Sequence, residues 1–136
     1  MANWYGTSRS NYVRMADLGG FKKAVEPFDL NYDEKDGLVV FFCSDSSDGG
    51  WPGFGEDEET GEELEFSFEE HVVPYLADGE VLITVQAGAE KLRYVSGYAA
   101  AYTKGESTLY VSLGDIYEKA AEEWGISRAD ISTAAY

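Results

Sequence analysis

The chain is poor in the residues that carry covalent and metal chemistry, with one cysteine, Cys43, and one histidine, His71. A lone cysteine excludes an intramolecular disulfide. Beside the apolar run Leu38-Val39-Val40-Phe41-Phe42 it is expected as a buried, inert thiol, compatible with a reducing cytoplasm. Zinc needs several His or Cys ligands at short spacing, so a zinc site is not expected. His71 follows Glu69 and Glu70 and is expected on a helix surface, so nothing local supports a Cys-His nucleophile pair. Long apolar runs are also missing. The longest, at 38–43 and 81–85, have strand length, far short of the roughly 20 residues that cross a bilayer. The opening Met1-Ala2-Asn3-Trp4-Tyr5-Gly6 has neither the basic segment nor the apolar stretch of a secretory signal, so a cytoplasmic protein is expected.

The most telling absence is positive charge. Between Asp36 and Glu90 there is no Lys or Arg, while fifteen of the 26 acids fall there. The remainder carries eleven acids against ten bases, so almost all of the formal charge of −16 lies in one 55-residue stretch. Clustered like charge costs stability by self-repulsion, and a local field of this kind suits a surface that meets something positive. Anionic membranes and nucleic acids have the wrong sign for direct binding.

What is present is enough to fold. A chain of 136 residues with 44% apolar and 15% aromatic residues is one domain by size and too rich in core-forming side chains for an acidic disordered chain. No internal repeat or long linker divides it. Strands are expected at 10–15, 28–32, 37–43, 80–86, 92–102 and 108–112. The second and third of these form a hairpin around Asp33-Glu34-Lys35-Asp36-Gly37. A short helix is expected over 16–25, weakened by Gly19-Gly20. Residues 44–61 are rich in Ser, Asp, Gly and Glu and read as a long acidic loop, a length that in a compact domain marks function or disorder. In Glu62-Glu63-Leu64-Glu65-Phe66-Ser67-Phe68 the alternation predicts a short strand with Leu64 and Phe66 inward and Glu63 and Glu65 outward. Ser67 with Glu70, and Asp115 with Glu118, have capping-box spacing and predict helices starting there. The second of these has Ile116, Tyr117, Ala120, Ala121 and Trp124 along one side and stops at Gly125. The fold class is therefore α+β, a mostly antiparallel sheet with about three helices packed on one face.

Chemistry-bearing motifs are sparse. Gly49-Gly50-Trp51-Pro52-Gly53-Phe54-Gly55 is glycine-rich but has no lysine and runs into Glu56-Asp57-Glu58-Glu59, which would repel a phosphate. Asp45, Ser47, Gly50 and Glu56 fall at positions one, three, six and twelve of an EF-hand-like loop. Gly49 occupies a ligand position there and Pro52 interrupts it, so weak calcium binding through Asp45, Ser47 and Glu56 stays as an alternative. Acid pairs for a glycosidase are too common in this composition to discriminate. No cofactor and no catalytic residue are expected.

The acidic surface remains. Its densest part supplies the expected partner-binding residues Glu56, Asp57, Glu58, Glu59, Glu62, Glu63, Glu65, Glu69 and Glu70, with Trp51 and Phe54 as exposed aromatic anchors or, for these two, as a lid folded over the sheet. A basic groove cannot by charge alone distinguish carboxylates from phosphates. The partner expected is a basic protein, in particular a nucleic-acid-binding enzyme.

The segment Asn3-Trp4-Tyr5-Gly6-Thr7-Ser8-Arg9-Ser10-Asn11-Tyr12, with Gly50-Trp51-Pro52 and Glu90-Lys91-Leu92-Arg93-Tyr94-Val95, resembles small acidic proteins carried on plasmids, phages and integrative elements. The resemblance implies no activity and no catalytic residue. It does imply a setting in which acidic proteins block host defence enzymes by imitating DNA. The expectation is a DNA-mimic-like inhibitor of the anti-restriction or anti-CRISPR type. The alternatives are an immunity-type inhibitor or assembly adaptor and a small enzyme or calcium module.

Overall fold

The computed structural model describes residues 4–43, 50–90 and 94–134. Seven strands form one antiparallel sheet: β1 (Trp4–Ser10), β2 (Val13–Arg14), β3 (Asn31–Lys35), β4 (Leu38–Phe42), β7 (Leu82–Glu90), β8 (Tyr94–Tyr102) and β9 (Leu109–Ser112). A separate two-stranded hairpin, β5 (Phe54–Glu56) and β6 (Glu63–Glu65), completes the strands. The helices are α1 (Leu18–Val25), α2 (Phe68–His71) and α3 (Asp115–Trp124). This is the expected α+β class.

A hairpin forms as β3 and β4, but its first arm is Asn31–Lys35 and not the expected 28–32. Asp33, Glu34 and Lys35 pair with β4, and the turn is only Asp36 (φ 54) and Gly37 (φ 80), both left-handed, the conformation a tight two-residue hairpin needs. β4 pairs β3 along one edge and both β2 and the end of β1 along the other. The meander β7, β8, β9 continues from β1.

The strand expected over 10–15 is not continuous: β1 ends at Ser10, the chain breaks at Asn11 and Tyr12, and β2 holds only Val13–Arg14, while β1 itself is not among the expected strands. Its inward positions are Gly6, Ser8 and Ser10, so it lacks the apolar alternation that marks a strand. Polar side chains build it instead. Ser10 Oγ accepts from Phe41 N at 2.8 Å. Between β1 and β2, Asn11 Oδ1 accepts from Ile83 N (2.8 Å) and its Nδ2 donates to Val81 O (3.0 Å), replacing ladder bonds where the strand breaks.

The core lies on one face of the sheet. Val13, Val39, Phe41, Leu82, Ala100 and Tyr102 project from it against Phe21 and Val25 of α1, Phe28, Leu30, Phe66, Phe68, Val72 and Leu76. Edge-to-face aromatic contacts run through it, from Phe21 to Phe41 (5.7 Å), Phe41 to Phe68 (5.8 Å), Phe68 to Phe66 (5.1 Å) and Phe66 to Phe28 (5.1 Å). Of the two glycines inside α1, Gly20 has a cause, because a Cβ there would stand 2.4 Å from the Asp17 carboxylate that caps the helix.

The start at Ser67 holds, with Oγ accepting from Glu70 N at 3.1 Å, although α2 is a single turn followed by a 3-10 turn over Val73–Tyr75. At α3 the cap differs from expectation. Gly114 is the N-cap, and Asp115 instead accepts from Ser112 N (2.7 Å) and Ser112 Oγ (3.1 Å), clamping the end of β9 to the helix. The apolar side expected of α3 is not buried: of its residues only Ala121 is, and Trp124 is 71% exposed. No helix among the described residues is long and apolar enough to cross a membrane.

Candidate protein-binding surface

The expected loop over 44–61 is not one loop. Residues 44–49 lie outside the described residues, and from Phe54 the chain forms the hairpin β5–β6, with Phe54 opposite Glu65, Gly55 opposite Leu64 and Glu56 opposite Glu63. Strand alternation sends Gly55 and Leu64 to the body and Phe54, Glu56, Glu63 and Glu65 outward. The inward Leu64 and outward Glu63 and Glu65 match the sequence reading. Sequence missed β5 because three residues, one of them glycine, are too few for periodicity to register.

The turn is built by the acids themselves. Asp57 Oδ1 accepts from Glu59 N (2.8 Å) and Thr60 N (3.1 Å), Thr60 Oγ1 accepts from Glu62 N (3.3 Å), and Gly61 (φ 72) closes it. Asp57 is half-buried by this role, which sets it apart from the exposed Glu58, Glu59 and Glu62. The hairpin sits tightly on the body, since the site of a Cβ on Gly55 is 2.2 Å from the Pro27 carbonyl oxygen.

The result is a ridge whose outward face carries Glu56 and Glu63 side by side and Glu65 beyond, with Glu58, Glu59 and Glu62 at its tip. Like charges directly opposite on a strand pair are destabilising. Among the described residues the ion pairs are Lys22 with Glu34 (2.7 Å) and Lys104 with Asp78 (3.7 Å), and neither involves the ridge. One base approaches it: Lys23 shares a depression of about 330 Å³ with Glu26, Asp57, Glu58 and Glu59.

Phe54 is 64% exposed on the same outward face, as an anchor would be. Trp51 is not. Its ring stands edge-on to Phe68 at 5.1 Å and packs against the core, so the lid arrangement is the one observed and its expected exposure is corrected. The cause is the Phe66–Phe68 cluster, which offers an apolar floor directly beneath it. The Trp51 Nε1 is buried with no hydrogen-bond partner among the described residues.

Glu69 and Glu70 occupy the first turn of α2, both exposed, and Glu69 accepts from Tyr110 Oη at 3.3 Å. Tyr110 is held above its ordinary value first by desolvation and then by that carboxylate. Next to it, burial and then Tyr110 push Tyr102 up to about 12.

His71 is not the solvated imidazole expected. Its ring stacks on Phe66 (5.6 Å, 17°) and meets Phe28 edge-on at 4.6 Å. Its Nδ1 lies 3.2 Å from Ser67 N and 3.0 Å from Ser67 O. Cys43 is only half-buried, against the fully buried thiol expected, with Sγ 3.8 Å from Thr7 Oγ1. Of the calcium alternative, Asp45 and Ser47 lie outside the described residues, and Glu56 belongs to the hairpin. No group of three or more metal-ligating side chains occurs among the described residues.

No protein-family model, no curated protein and no solved structure matches this chain.

Proposed function

We propose that the chain is a non-enzymatic acidic binding protein, a DNA-mimic-like inhibitor whose β5–β6 ridge enters the basic nucleic-acid-binding groove of a host defence enzyme of the restriction or CRISPR type. The observation that carries the reading is the pairing of Glu56 against Glu63, with Glu65 alongside and no ion pair to any described residue. Such an arrangement costs the free protein stability and is relieved by a partner that brings cations. The resemblance to acidic proteins of mobile elements favours a defence enzyme as that partner. The ridge is two strands, about 5 Å, across its backbone, narrow enough for a groove that admits a nucleic acid.

The test is capture from the producing cell at low salt, followed by elution with duplex DNA. The immobilised wild-type protein should retain a basic nucleic-acid enzyme that DNA displaces. The Glu56→Gln/Glu63→Gln/Glu65→Gln variant should bind it about tenfold or more weakly, with a shallower salt dependence. Equal affinity of the two proteins in low and high salt refutes the reading. The exposure of Phe54 favours a second one, an immunity-type inhibitor anchored by an aromatic side chain. In that case Phe54→Ala weakens capture more than the three carboxamides together.

A further inference from the structure

Over β1, β7, β8 and β9 the face of the sheet opposite the core has no cover among the described elements, whereas Val40, which β4 turns to the same side beside Asp33, is buried at 4% exposed. The registers place Arg9, Val85, Ala99 and Val111 in one cross-strand row, Ile83, Ala101 and Leu109 in the next, and Thr7, Ala87 and Gly97 in a third. Leu113 donates its N–H to Gly97 O and extends that third row. Among the described residues of these rows there is no carboxylate, and Arg9 is the one charge. On a chain of net −16 this is a sharp segregation, since the other side of the molecule carries the acidic ridge and α2. Of the apolar side chains in these rows Val85 (45%), Val111 (58%) and Leu109 (69%) are exposed, while Ile83, Ala99 and Ala101 are half-buried between them. Scattered exposed apolar residues are normal, but a contiguous patch marks an interface.

The two edges of the sheet differ in the same sense. β3 carries Asp33, Glu34 and Lys35, the charged guards usual on an edge strand, while Leu109-Tyr110-Val111-Ser112 of β9 is exposed at every residue and uncharged.

We propose that this face is where a second copy of the chain docks, sheet against sheet about a two-fold axis. Charge selects the occupant. Two copies of so acidic a chain repel each other except where carboxylates are absent, and a basic partner would gain nothing from a face without them. Shape agrees with a self-complementary contact. The middle strands present small residues, Ala87, Ala99 and Ala101, forming a floor, and β9 raises a rim of Leu109 and Val111 that Leu113, just after it, continues over Gly97. Shallow hollows of about 160 and 220 Å³ lie on either side of Val111. A two-fold axis sets the rim of each copy over the floor of the other, the isologous geometry of most homodimers. The area is that of a weak, concentration-dependent dimer. Strands of seven, nine, nine and four residues, at about 3.4 Å per residue and about 4.8 Å apart, project roughly 470 Å² against the roughly 800 Å² per partner of a standard interface.

Sedimentation velocity over a range of protein concentrations tests this. The wild-type protein should run as a particle of twice 15.0 kDa that strengthens with added salt, because screening removes repulsion between the acidic copies. That is opposite to the salt dependence expected of the ridge with a basic partner, so failure of either proposal leaves the other readable. Val85→Lys and Val111→Lys each place a charge on this exposed face without touching the core. Each should raise the dimer dissociation constant by on the order of 100-fold with an unchanged melting curve at monomeric concentration. Should a lysine variant fold poorly, Val111→Thr, which keeps the shape and strand propensity, should weaken the dimer in the same direction. A wild-type monomer at every concentration, or a dimer of unchanged affinity in the folded variants, overturns the proposal. Capture of an unrelated protein lost in the same variants overturns it in favour of a heterologous partner.

Discussion

Replacing Gly55 with alanine tests whether the acidic ridge is a positioned surface or merely a quantity of charge. A Cβ at this position stands 2.2 Å from Pro27 O, 2.8 Å from Pro27 C and 2.7 Å from Phe28 Cδ1. Ordinary carbon contacts lie near 3.5 Å, so about 1 Å must be found. The body resists giving it. The close atoms on Pro27 are backbone, and the Phe28 ring is buried between Phe66 (5.1 Å) and His71 (4.6 Å). The hairpin must move instead, and with it Leu64, the cross-strand partner that packs on the core. Overpacking of this kind costs about 1–3 kcal/mol. For 136 residues at about 2.1 cal/mol/K per residue, that lowers Tm by roughly 3–10 °C. Gly53 is the control, since nothing lies within 4 Å of its Cβ site and its φ is not left-handed, so Gly53→Ala should melt with the wild type. Differential scanning calorimetry reads both. Because Gly55→Ala leaves every charge in place, capture of the basic partner separates position from charge, and weaker binding is expected. A Gly55→Ala protein that melts within a degree of wild type would refute the packing argument.

Two further perturbations follow from the same geometry. Trp51→Phe should cost less than about 1 kcal/mol, because the lost indole N–H has no partner among the described residues while the ring contact with Phe68 is largely kept. Trp51→Ala should cost about 2–3 kcal/mol by urea unfolding, and equal losses would show that the N–H matters. Tyr102, pushed up to about 12 by burial, favours the neutral phenol in the folded state. Its contribution to stability is therefore complete below about 10, the ordinary tyrosine value, and is lost as pH rises through 12. Ultraviolet tyrosinate titration should show a late step that vanishes in Tyr102→Phe, and a variant with an unchanged titration would contradict the assignment.

Much of the fold was legible where one physical signal dominated. Alternation in Glu63-Leu64-Glu65 placed Leu64 inward because a period of two leaves no other choice once one side chain must be buried. Ser67 marked a helix start because a hydroxyl three residues before an amide can bond it. β1 was illegible because its inward side is Gly6, Ser8 and Ser10, and its stability comes from bonds to Phe41 and to neighbouring strands remote in sequence. Asp115 had the right spacing for a cap but found a better use, holding Ser112 two ways. Trp51 and Phe54 were indistinguishable as loop aromatics, and what separated them was that an apolar floor lay under one and not the other.

By itself the sequence determined the sign and place of the charge, the α+β class, and the lack of residues for disulfide or zinc chemistry, because these depend on composition and on short-range periodicity. Only the tertiary structure decided how the charge is displayed. Pairing of Glu56 with Glu63 across a hairpin, the seating of Gly55 on Pro27, and the gathering of Val85, Ala99 and Val111 into one uncharged row all join residues distant along the chain. Such contacts are chosen by packing of the whole core, which no local window of sequence contains.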